Sequence, residues 1–265
     1  MRLTTLYLGC ALLVVLYVNL FPILEIVFRL FGDTFIQKAT IGIPIIAAGG
    51  ILLYFGRYGR HIPSQTHWIS VVFGLTICLS ALLIPDPKIS IKRIHVSEYL
   101  LLSFFVRYVM SHKMQAGSLL LFASFFTVTL GIHDEFLQGL HPQRTYGLRD
   151  MMVNGVAGVG GGLVWHGFNL FRRDHQKGPS SQKKSTIHFV YLTMLSIALL
   201  VFPVTLHSFP SLPVPLWPCL PLFATSIFYF FLIRNDVSDW SHGLMVISYS
   251  SFSLLLYPLA ILVQK

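Results

Sequence analysis

The sequence predicts an all-α fold, a polytopic transmembrane helical bundle of about nine TM helices. Three observations carry that expectation. Apolar residues fill 54% of the 265 positions and only 11% are charged, less than half the roughly 25% usual in a soluble domain. Mean hydropathy is +0.70. Apolar runs near spanning length recur at 4–24, 37–56, 68–84, 94–111, 115–132, 148–170, 187–206, 214–233 and 242–262. This composition excludes a cytosolic enzyme, a disordered tail and a secreted disulfide scaffold.

The runs are punctuated in order. The first follows Met1 and Arg2; its apolar core exceeds the about 7–15 residues of a signal peptide, and it reads as an uncleaved helix. Glu25 and Arg29 form an i,i+4 pair at its end. Pro85 and Pro87 close the third run, and Pro142 precedes the sixth. Gly178-Pro179-Ser180-Ser181 lies in a basic connector, and five prolines from Pro210 to Pro221 crowd the entry to the eighth run, where a helix start tolerates them. The divisions are two N-terminal helices (1–66), a core of helices three to six (67–170), a basic loop (171–186) and three C-terminal helices (187–265). No internal repeat supports an inverted-repeat transporter. Cys10, Cys78 and Cys219 lack CxxC spacing and read as buried small hydrophobes.

The net charge of +9 sits in short loops, where it sets orientation and meets anionic headgroups rather than nucleic acid. Arg57, Arg60, Lys113 and the basic loop outweigh Lys88, Lys92, Arg93 and Arg144. The N-terminus is therefore expected in the cytoplasm.

Ionisable residues in spanning helices are costly and by default mark function. Here they gather. The fourth helix carries Lys92, His95, Glu98 and Tyr99; the fifth ends in Asp134, Glu135 and Gln138; Arg144 follows; the sixth opens with Arg149, Asp150 and Asn154. Connectivity puts all three groups at one, non-cytoplasmic face. At about 100° per residue, His95, Glu98 and Tyr99 share an arc, Glu135 and Gln138 share a face, and Asp150, Asn154, Ala157 and Gly161 form one stripe. Gly158 and Gly162 add a second small-residue pair, so helices four to six are expected to pack closely around one polar pocket.

These residues resemble the VanZ-like family, whose pattern is Lys-x-x-His-x-x-x-Tyr, then an acid, a Gln three residues on, Pro-x-Arg and Asp-x-x-x-Asn in a small-residue helix. The matching positions are Lys92, His95 and Tyr99, then Glu135, Gln138, Pro142, Arg144, Asp150 and Asn154. Ile91 replaces an acid often found before the Lys, and Gln143 a frequent Gly. The resemblance covers roughly residues 70–170. It implies a bacterial inner-membrane protein acting at the cell envelope, with a theme of resistance to the glycopeptide teicoplanin and no assigned reaction.

Three readings of the pocket follow. In the first it binds an anionic lipid-linked envelope intermediate or a glycopeptide-related ligand, with Arg144 holding the anion and Lys92, Tyr99, Gln138, Asp150 and Asn154 lining it. In the second it is a membrane-embedded hydrolase or transferase with His95 as general base oriented by Glu98 or Glu135. In the third the acids pair with Arg144 and Arg149 and staple three helices together. The sequence leaves open whether the protein is an enzyme. A metal site from His95, Glu98, Glu135 and Asp150 lacks HExxH spacing, and none is assigned. No cofactor is called for, and the partners expected are membrane lipids. His166 and Arg107 read as packing or snorkelling residues.

Overall fold

The computed structural model describes residues 3–58, 67–86, 90–141, 146–171, 186–208, 216–235, 238 and 240–263, and every regular element among them is helical. Helix α1 (Leu3–Asn19) stops short of the first apolar run's end. The Leu20 N–H turns back to the Tyr17 carbonyl, and Pro22 suits the start of α2 (Phe21–Tyr58). Glu25 and Arg29 thus belong to α2, with the Glu25 side chain outside the described residues. Gly32 breaks α2 at φ 76, ψ 169, a conformation open to glycine alone.

Next come α3 (Trp68–Ala81), a 3₁₀ turn (Ser90–Arg93), α4 (Ile94–Met110) and α5 (Ala116–Leu140). The fifth apolar run ends at 132, yet α5 continues for two more turns, because Asp134, Glu135 and Gln138 find partners inside the bundle. Beyond these lie α6 (Leu148–Gly167) and α7 (Thr186–His207). Helix α8 (Leu220–Phe228) has Pro221 in its first turn and runs into a π turn (Tyr229–Ile233). The ninth run forms two helices, α9 (Ser241–Ser253) and α10 (Leu256–Val263). Between them the Leu254 N–H bonds the Ser251 carbonyl rather than that of Ser250. The released Ser250 carbonyl accepts from His133 Nε2 of α5 at 2.8 Å, while His133 Nδ1 meets the Tyr257 hydroxyl at 3.1 Å.

Helix α6 sits among α3, α4 and α5. Its glycines permit this. A Cβ on Gly74 of α3 would lie 2.6 Å from the Gly160 carbonyl oxygen, and one on Gly160 would lie 2.7 Å from Cys78 Sγ. Gly158 and Gly162 face Thr127 and Ser124 of α5, and Gly161 faces Ser103 of α4. The small-residue stripe therefore serves three neighbours, with α3 the one approached backbone to backbone.

Arg107 does not snorkel. It is 2% exposed, and its Nε donates to the Leu170 carbonyl at 3.0 Å, tying the end of α4 to the chain that leaves α6.

Among the described residues three helical stretches are long and apolar enough to cross a membrane: Gly117–Leu140, Thr186–His207 and Ser241–Ile261. Leu3–Asn19, Trp68–Ala81 and Trp217–Ile233 are apolar but shorter. The exterior is rich in large apolar side chains, among them Ile46, Leu53, Ile69, Leu83 and Phe231, each at least 74% exposed. So extensive an apolar exterior is foreign to soluble monomers and fits a bilayer.

Candidate functional site

The polar residues of α4, α5 and α6 meet at one end of the bundle, and Asp134 is their hub. Gly131 lets the helices close there: a Cβ on it would stand 2.8 Å from Asn154 Cβ and 3.2 Å from Tyr99 Cε1. The Tyr99 hydroxyl of α4 donates to Asp134 Oδ2 at 3.1 Å, and Asn154 Nδ2 of α6 donates to the same oxygen at 3.4 Å. Gln138, one turn along α5, donates to Asp134 Oδ1 at 3.2 Å and to Glu135 Oε1 at 3.1 Å. Asp134, Glu135 and Asn154 have no exposed surface, so each of these bonds forms away from solvent, where an unmade one is expensive.

Glu135 Oε2 accepts from the Gly147 N–H at 3.0 Å. Gly147 is the N-cap of α6 and has no side chain to cap with; its own N–H is met by this carboxylate from α5, at the end where the helix dipole favours negative charge. Beside it, burial pushes the Tyr146 phenol up to about 12.

At the rim, Lys92 Nζ meets Asp150 Oδ2 at 2.5 Å, with the lysine side chain 33% exposed and the aspartate 4%. His95 Nδ1 donates to Glu98 Oε2 at 2.9 Å, both side chains buried. That bond fixes the ring and leaves Nε2 available to give or take a proton. A further contributor comes from α1, where the Tyr17 hydroxyl donates to the Glu98 carbonyl at 3.0 Å.

Two acceptors in this recess have no donor among the described residues: Asp150 Oδ1 and Asn154 Oδ1, both buried and one helical turn apart. The orientation of the Asn154 amide is set by its neighbours. Its Nδ2 faces Asp134 Oδ2 and the Gly131 carbonyl, both acceptors, so a flipped amide would oppose like partners.

The expected residues are thus brought together with changed pairings. Asp150 pairs with Lys92, and Arg149 is exposed. Ile91 in place of an acid does not leave Lys92 without an ion pair, since Asp150 reaches it from α6. Glu98, not Glu135, orients His95. Pro142, Gln143 and Arg144 lie outside the described residues, as do 172–185 of the basic loop and Pro210, Pro213 and Pro215. Sequence reasoning passed over Asp134 as the hub, although its i,i+4 spacing to Gln138 was a usable signal. It had no signal for Tyr17. Among the described residues no three His, Cys, Asp or Glu side chains form a metal-holding group.

No family model, curated protein or solved structure matches this chain.

Proposed function

We propose that this is a VanZ-like multi-pass protein of a bacterial inner membrane, with nine spans, the last formed by α9 and α10 together, and a cytoplasmic N-terminus. Its recess faces outward and engages an anionic, lipid-linked component of the cell envelope. The observation that carries ligand binding is the pair of acceptors with no partner among the described residues, Asp150 Oδ1 and Asn154 Oδ1. In the same cluster Asp134, Tyr99 and Gln138, which fasten the helices, do find partners for their buried atoms. The two free acceptors call for a ligand that donates hydrogen bonds, such as a hydroxyl-bearing headgroup, beside the Lys92 cation. Arg144 is the anion partner assigned by the family resemblance. The envelope setting and any link to teicoplanin rest on that resemblance alone.

The test is lipid-dependent thermal unfolding of the purified protein in detergent, with phosphatidylglycerol as probe and phosphatidic acid as the comparison lacking the glycerol hydroxyls. Saturation a hundredfold above Kd stabilises by about 2.7 kcal/mol, a readily measured shift. Phosphatidylglycerol is expected to raise Tm more than phosphatidic acid, and Asn154→Leu and Arg144→Ala to abolish the rise. Equal shifts, or a shift indifferent to both substitutions, overturn the proposal.

The oriented His95–Glu98 pair favours a second reading, general-base hydrolysis or group transfer on such a lipid. It requires His95→Ala to abolish turnover of a polyprenyl phosphate or phospholipid while Tm stays within a few degrees of the parent.

A further inference from the structure

A cavity of about 390 Å³ opens between α1, α2 and α4, walled by Leu20, Phe35, Ile36, Ile43, Ile94 and Leu101, and it ends on Glu98. Its walls include polar residues whose polar atoms are turned away. The Tyr17 hydroxyl is spent on the Glu98 carbonyl, and the Thr40 hydroxyl folds back onto the Ile36 carbonyl at 2.9 Å. The Glu98 carboxylate is held by His95. The crevice is therefore hydrocarbon along its length and meets the polar network at Glu98 and Tyr17.

We infer that this crevice holds one hydrocarbon chain of a membrane lipid whose anionic headgroup lies beside Glu98, His95 and Lys92. The placement of the headgroup rests on the recess reading above; the chain site stands on the crevice itself. Size excludes a protein segment: a helix about 10 Å across would fill the volume in roughly one turn. The volume falls in the roughly 300–1,000 Å³ range of small-molecule sites. The outer faces of the same walls expose Leu16, Leu30, Phe31 and Ile46, so the surroundings from which a chain enters are themselves apolar. Charge supports the headgroup's sign and place. Lys92, shared with Asp150, and Arg93, whose Nε donates to the Leu82 carbonyl, lie between the crevice residues Ile91 and Ile94. Two cations at one end of an apolar slot complement a phosphate attached to a chain.

The experiment reconstitutes the full chain in phosphatidylglycerol vesicles containing a trace of phosphatidylglycerol with a diazirine in its tail, and maps the photo-adducts by peptide mass spectrometry. Adducts on Ile36 and Ile94 are expected at least fivefold above those on the outward-facing Leu200 and Phe231. Ala39→Phe, and separately Ser97→Phe, should reduce that excess to parity. Even labelling of all four positions in the parent protein overturns the proposal whether or not either variant folds, as does an excess indifferent to both substitutions. The two readings fail separately. Crevice labelling with no lipid-dependent Tm rise keeps the chain site and removes the hydroxyl-binding recess, whereas a Tm rise with even labelling does the reverse.

Discussion

Asp134 gathers donors from three side chains on three helices, and its removal takes an acceptor from all of them at once. Each buried group left unpaired costs about 1–3 kcal/mol. Asp134→Ala is therefore expected to lose about 2 kcal/mol or more in denaturant unfolding of the detergent-solubilised protein. Glu135→Gln, which can still accept from Gly147, should lose about 1 kcal/mol. Equal losses would show that the hub is misplaced. Lys92→Met leaves Asp150 buried without its cation and should destabilise, whereas Lys92→Arg restores the pair. The residue types of this cluster were legible in the sequence because charge inside apolar runs is conspicuous. Their pairings were not. Asp134 and Glu135 are adjacent, so a rotation of about 100° decides which faces α6. Gln138 stands one turn from both and does not discriminate. The partner of Lys92 lies 58 positions away, and no local pattern reaches that far.

Among elements, α6 is where packing is tightest, and its glycines separate by what a methyl group would strike. At Gly160 the added carbon would stand 2.9 Å from the Gly74 carbonyl oxygen and 3.0 Å from the Cys78 nitrogen, both backbone. At Gly155 it would meet only Val128 methyls, at 3.8 Å or more. Gly160→Ala should therefore force α3 off α6 and lower Tm by several degrees. Gly155→Ala should be neutral, or stabilise by up to about 1 kcal/mol through helix propensity. Melting curves that rank the two the other way would contradict the α3–α6 contact. Every apolar run did become helix, since hydropathy and length report directly on burial and hydrogen-bond closure within a segment. Helix ends were harder. Helix α5 outruns its apolar stretch because tertiary partners absorb its polar last turns, and α2 continues past Gly32 after a break that a lone glycine does not announce. The ninth run divides because Tyr257 and His133 act on it from 124 positions apart.

For the molecule as a whole, the recess and the Arg107 anchor lie at opposite ends of α4 and α6, which gives the bundle a polarity that labelling can read. Lys113 and Arg149 are both exposed, one in the α4–α5 turn and the other in the first turn of α6. With the native cysteines replaced, Arg149→Cys should react with an impermeant maleimide on intact cells. Lys113→Cys should react only after the membrane is opened. Reaction of both from outside would contradict a bundle that spans. One feature of the fold also bears on how the protein is made. The latch between His133 and the Ser250 carbonyl joins the middle of the chain to a helix synthesised more than a hundred residues later. During translation, the central helices must wait in the bilayer, with that imidazole unfastened, until the C-terminal pair emerges from the ribosome to shut the bundle around them.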